Sequence, residues 1–139
     1  MKNCKQSSLG DLLLLFRRNI IESVKKEGLK QDLTFPQIEV LHFIGLSGEK
    51  TMKEIAEYLK ITPPSATEII SEMEKKNLVK RVNDKGDRRV VLIVLTEMSK
   101  KLFTSVCKRK ELVFKKMINK LNKKDQKDLE RIIRIIVTN

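Results

Sequence analysis

Two helix-start signals, at Thr51 and Thr62, stand so close together that the chain around them has few folds open to it. In "TMKEIAEYL", residues 51–59, Thr51 and Glu54 form a capping box, and Ile55, Ala56 and Leu59 recur at helical spacing. In "TPPSATEIISEMEKKN", residues 62–77, Thr62 caps, Pro63 takes the first helical position and Asn77 suits a left-handed stop. Only the turn of Lys60, Ile61 and the cap Thr62 joins the two. A short helix, a short turn and a capped second helix predict a helix-turn-helix.

"LVKRV" (78–82) and "RVVLIVLT" (89–96) follow at once. They are rich in β-branched residues and predict two strands joined as a hairpin by an Asp-Lys-Gly turn. A hairpin directly after the second helix makes the motif a winged one. The short loop and its junction with the second strand hold Asp84, Lys85, Gly86, Asp87, Arg88 and Arg89, where no core can use the arginines. Lys85, Arg88 and Arg89 can reach phosphates, and an arginine can enter a narrow minor groove. Asp87 can hold one guanidinium through a charge-assisted bond. Charged turns are common solvated features, so it is the adjoining helix-turn-helix that favours contact with DNA.

Helical patterns flank this lobe on both sides. "SSLGDLLLLFRRNIIESVKKEG" (7–28) puts Leu9, Leu12, Leu13, Phe16, Ile20 and Val24 on one stripe, with Ser8 and Asp11 as a capping box and Gly28 as the stop. "TFPQIEVLHFIGL" (34–46) opens on Thr34 with Gln37 and Pro36 in the first turn. A long helix runs from its cap Thr96 to about Leu121, and a last one starts near Asn122, capped by Asn122 and Asp125. The expected fold is mainly α (α+β), with a two-stranded wing. It is one domain over 1–139, with the winged lobe at about 34–96 and long terminal helices at about 7–28 and 96–138.

Composition narrows the partners. The net charge is +12, which points to a polyanion, nucleic acid first and an anionic membrane second. The excess is uneven: residues 1–50 carry +2, 51–96 carry +2 and 97–139 carry +8. "LLLL" at 12–15 runs into Phe16, Arg17 and Arg18, too short for a membrane span. Cys4 and Cys107 are too far apart in sequence to read as a disulfide framework or metal cluster, and a reduced, cytoplasmic protein with no cofactor is expected. No nucleophile–base pair, phosphate loop or metal-ligand set points to an enzyme.

The ordered set resembles the MarR family of bacterial transcription regulators along essentially the whole chain. "LTFPQIEVLHFI" is similar to the family's second helix, and "TMKEIAEYLKITPPSATEIISEMEKKNLVKRV" to its helix-turn-helix and first wing strand. In "DRRVVLIVLTEMSKKL", Asp87, Arg89, Leu92, Leu95 and Thr96 fill the places of its wing pattern. The resemblance implies a homodimer interlocked through its first, fifth and sixth helices, whose winged lobes grip double-stranded DNA. It also implies control by a small phenolic or lipophilic effector, and a repressor released from a pseudo-palindromic operator. The apolar residues of the terminal helices also favour burial between two subunits, the alternative being a helical core within one.

On a helical wheel, Ala66, Ile69, Ile70 and Met73 of the second motif helix point inward. Pro64, Thr67, Glu68, Ser71 and Lys75 point outward, flanked by Glu72 and Glu74. With Thr62 and Ser65 at the helix start and Lys85, Arg88 and Arg89 in the wing, these are the candidate DNA-binding residues, Asp87 supporting the wing. The family often has a basic residue where Glu68 stands. An acid there either accepts from a cytosine amino group or marks weakened binding, by a non-specific DNA-binding or protein-interaction module. Some members use a reactive N-terminal cysteine, but Cys4 lies before the first helix and Tyr58 is the only tyrosine, so a sensor role is not expected of it. Cys107 is expected as a core thiol, and His42 as structural or a pocket wall.

Overall fold

A computed structural model describes residues 7–26 and 32–138, except the side chains of Val24 and Lys25. The expectations for Cys4, the Val24 side chain and Gly28 lie outside these described residues. The chain forms α1 (Leu9–Lys26), α2 (Phe35–Ser47), β1 (Lys50–Thr51), α3 (Met52–Leu59), α4 (Pro63–Lys75), β2 (Val79–Asn83), β3 (Val91–Leu95), α5 (Glu97–Ile118) and α6 (Lys123–Val137). It divides into two compact units, Leu29–Cys107 and a second made of Met1–Gly28 with Lys108–Asn139.

The first unit is the winged lobe. Each of its helices starts on a predicted cap. Gln37 accepts from the Thr34 N–H at 3.2 Å, and Glu54 from the Thr51 N–H at 2.8 Å. Its core joins Val40, Leu41 and Ile44 of α2, Ile55 of α3, Ile70 and Met73 of α4, and Leu78, Val79, Ile93 and Leu95 around the sheet. The inward set of α4 is Ala66, Ile70 and Met73, each fully buried, with Ile69 half-buried beside them.

The sheet has three strands in the order β1-β3-β2, all antiparallel. The wing is thus a two-stranded hairpin with a third strand on the other edge of β3, where Lys50 faces Ile93 and Thr51 faces Leu92. That strand was not expected: two residues leave no alternation to read. The hairpin loop is also longer than an Asp-Lys-Gly turn. Asn83 pairs with Val91, so 84–90 lie outside the ladder and β3 begins two residues after Arg89.

Beyond the expected Thr96 cap, contacts not read from the sequence anchor the start of α5 to this lobe. Thr96 Oγ1 accepts from the Ser99 N–H at 3.2 Å and donates to the Asn77 carbonyl at 2.8 Å. Ser99, fully buried, donates to the Leu78 carbonyl. The ring of Phe103 lies against Gly45 of α2 and, tilted, against His42. Cys107 is half-buried, so it is not the enclosed core thiol expected; α5 leaves one side of it open.

The second unit consists of α1, the end of α5 and α6. Ser8 and Asp11 form their box, and Asn122 accepts from the Asp125 N–H at 2.8 Å. Burial is sparse: Val113 is enclosed, whereas Leu9 is 73% exposed and α6 buries no residue. Leu13, Leu14, Leu112, Ile135, Ile136 and Val137 stand exposed as well. The apolar stripes read from the sequence are therefore surfaces in the single chain.

Candidate nucleic-acid interface

Three local features bring α3 and α4 together. Lys60 takes the left-handed conformation (φ 54°, ψ 45°) that ends α3, unusual for a residue with a side chain. The Ile61 N–H then reaches back to the Ala56 carbonyl at 3.1 Å. Thr62 is extended and accepts from the Ser65 N–H at 3.4 Å, while its hydroxyl donates to Ser65 Oγ at 3.0 Å. Asn77 closes the other end in the left-handed region, as expected (φ 57°).

The outer face of α4 is the one the wheel predicted. Pro64, Thr67, Glu68 and Lys75 are exposed, and Ser71 is half-buried. The Thr67 hydroxyl donates back to the Pro63 carbonyl at 3.0 Å, committing its proton to the helix. Lys75 pairs with Glu72 at 2.8 Å, which lowers the Glu72 carboxyl below its ordinary range. Glu74 pairs with Arg81 of β2 at 2.8 Å, so two of the three acids on α4 are already matched by cations. Glu68 has no such partner among the described residues and faces solvent.

The wing loop is built by its aspartates. Asp84 Oδ2 accepts from the Gly86 and Asp87 N–H groups at 3.0 and 2.9 Å, an Asx turn that the Asp-Lys-Gly reading did not resolve. Asn83 donates to the Arg88 carbonyl at 2.7 Å. Asp87 Oδ1 accepts from both the N–H and Nε of Arg89, at 3.0 and 3.1 Å, and Oδ2 accepts from Nη2 at 3.2 Å. These bonds, with the Arg89 side chain first among them, hold the Asp87 carboxyl below its ordinary range. The Arg89 side chain remains 91% exposed, so it is oriented and yet open to a ligand. Lys85 and Arg88 are exposed on the same loop. The arrangement joins a helix face carrying short polar groups and an acid to a loop presenting three cations, one of them held in place.

Sequence reasoning missed a second feature of this lobe. Phe43 of α2 and Tyr58 of α3 stack nearly parallel at 4.0 Å, with the Lys50 ammonium 5.4 Å from the Phe43 ring centre. Their separation in sequence hides the pair. Among the described residues no three His, Cys, Asp or Glu side chains are grouped to hold a metal, and no helix is long and apolar enough to cross a membrane.

Comparison with known proteins follows the same lines. Residues 31–90 match the MarR family model. The chain is 30% identical over 100 residues to the HTH-type transcriptional regulator YfiV of Bacillus subtilis, covering 72% of this chain and 62%, less than two thirds, of that protein. It is 28% identical over 120 residues to the HTH-type transcriptional repressor MdtR of the same organism, covering 86% of this chain and 75% of the repressor. In fold it is similar to the Staphylococcus aureus MepR–DNA complex, with a TM-score of 0.79 at 18% identity over 96% of this chain and 98% of that one.

Proposed function

Because the chain belongs to the MarR family of DNA-binding transcription regulators, we propose that it is a homodimeric repressor that occupies a pseudo-palindromic operator and leaves it when a small effector binds. The observation that carries the reading is the Thr62-capped α4, with its solvent-facing polar side, beside a wing whose Arg89 is held by Asp87. In this reading the first turns of α4 enter the major groove, and Pro64, Thr67, Glu68 and Ser71 meet base edges. Thr62, Ser65 and Lys75 lie against phosphates, and Lys85, Arg88 and Arg89 follow the backbone or the minor groove. The repressor MdtR supports the sign of regulation. The protein is then cytoplasmic and non-catalytic, and the whole of 1–139 acts as one functional domain.

The dimer is supported by the exposed apolar residues of α1, α5 and α6, too many for a soluble single chain to leave uncovered. A two-fold dimer reads two half-sites, which is why the operator should be an inverted repeat. Within the winged lobe a cleft of about 550 Å³ is lined by Ile44, Gly45, Val82, Val94 and Phe103, with Lys80, Glu97 and Lys100 at its edge. It is large enough for a small phenolic or lipophilic effector. Binding there, or between the subunits, would favour one lobe spacing over another and so shift occupancy of the operator.

Selection from randomised duplexes tests the proposal: an inverted repeat should be enriched and bound as a dimer. Enrichment of no motif would favour the second reading, a non-specific DNA-binding or protein-interaction module. The acid face of α4, with Glu68 unpaired, is the observation on its side.

A further inference from the structure

The positive charge of this chain does not sit on the unit that carries the helix-turn-helix. Residues 29–107 hold 13 Lys and Arg against 11 Asp and Glu, a net +2, whereas 1–28 with 108–139 hold 17 against 7, a net +10. Part of the excess runs from Lys115 to Lys127, across the end of α5 and the first turns of α6. There Lys115, Lys120, Lys123, Lys124 and Lys127 are all exposed. None of the five makes an ion pair among the described residues; the neighbouring pairs use Lys110, Arg131 and Arg134 instead. The one acid in the stretch, Asp125, is bonded to Asn122.

This placement works against the fold. Lys123 and Lys124 lie in the first turn of α6, where outward-pointing backbone N–H groups repel cations. Crowded, unpaired lysines also repel one another. A local rule broken without a compensating contact among the described residues marks a surface kept for something outside it.

We propose that these five lysines form a second phosphate-binding surface on the chain, whose partner is double-stranded DNA contacted without regard to sequence. The inference rests on the reading that the protein works on duplex DNA and adds where its non-specific affinity comes from. An acidic α4 and a nearly neutral lobe supply little of the counterion release that drives non-specific binding, and a net +10 unit supplies it readily. The stretch 115–127 contains no aromatic residue, so it lacks the stacking platforms that single strands need. A helix lying in a membrane surface carries cations and apolar residues along the same length. In α6 the lysines occupy the first turns, and the most exposed apolar residues, Ile135, Ile136 and Val137, the last.

The test is the full-length variant Lys120→Gln/Lys123→Gln/Lys124→Gln/Lys127→Gln, titrated by fluorescence anisotropy against a duplex of scrambled sequence over a range of salt. The log–log salt slope should become shallower by about 0.9 for each lysine that meets a phosphate, and affinity in low salt should drop by more than about tenfold. The matching Lys→Arg variant should bind like wild type, which separates charge from a folding defect. A slope and affinity equal to wild type would overturn the proposal. So would unchanged DNA binding together with lost binding to phosphatidylserine vesicles, which assigns the surface to lipid. Failure of the operator reading looks different: no selected motif and no effect of Arg89→Ala, whatever the lysine variant does.

Discussion

The ring of Phe103 occupies the space that a β-carbon on Gly45 would need: such an atom would stand 2.6 Å from both Cγ and Cε2 of the ring. Gly45 lies inside α2, where glycine is normally unfavourable, so its presence there answers to packing. Gly45→Ala would gain up to about 1 kcal/mol of helix propensity. It would also force the ring aside, at about 1–3 kcal/mol for overpacking. Net destabilisation is expected in urea unfolding, partly relieved by Phe103→Leu in the same chain. A Gly45→Ala protein more stable than wild type would show that the ring moves freely.

Arg89→Ala should weaken binding to all duplexes alike, and Arg88→Ala should do less, because only Arg89 is held by a partner. The salt slope should fall by about 0.9 for each phosphate that the variant leaves unneutralised. Asp87→Asn should have a smaller effect in the same direction, since it frees the guanidinium without removing it. The pH dependence follows from the depressed Asp87 carboxyl. A carboxylate held below its ordinary range keeps its pairing at every pH above that range, and loses it only as acid protonates it. Affinity measured from pH 6 to 8 should therefore show no step from this pair. Salt slope and affinity unchanged in Arg89→Ala would place the wing off the DNA.

In solution the protein should be a dimer at micromolar concentration. The apolar residues exposed on α1, α5 and α6 motivate the expectation. Sedimentation equilibrium gives the answer directly, and a stable species at the chain's own 16.2 kDa would remove the two-half-site operator with it.

Glu68 separates sequence-specific recognition from mere attraction. If it accepts from a cytosine amino group, Glu68→Ala should abolish preference at one base position per half-site, with a loss of about 1–3 kcal/mol on the best site. Binding to random DNA should hardly change. If Glu68 only repels phosphate, the same variant should bind every sequence more tightly. Selection from randomised duplexes with both proteins distinguishes the two, and a uniform gain with an unchanged motif would refute the specificity role.

Signals confined to one turn of chain were legible in the sequence itself. The caps at Thr34, Thr51, Thr62 and Asn122 and the left-handed Asn77 all stand where local hydrogen-bonding chemistry put them. The buried face of α4 followed from helical period alone, since Ala66, Ile70 and Met73 need only point the same way. What required tertiary structure involves partners distant in sequence. Lys50 and Thr51 form a strand because β3 offers them a free edge, and no pattern in two residues announces it. Ser99 is buried because the Leu78 carbonyl lies within reach across the lobe, and Gly45 is a glycine because of a ring on another helix. The wing was intermediate. Its charges were plain in the sequence, but the choice of Arg89 over Arg88 as the partner of Asp87 depends on how the loop turns after Asp84, and the backbone path decides that.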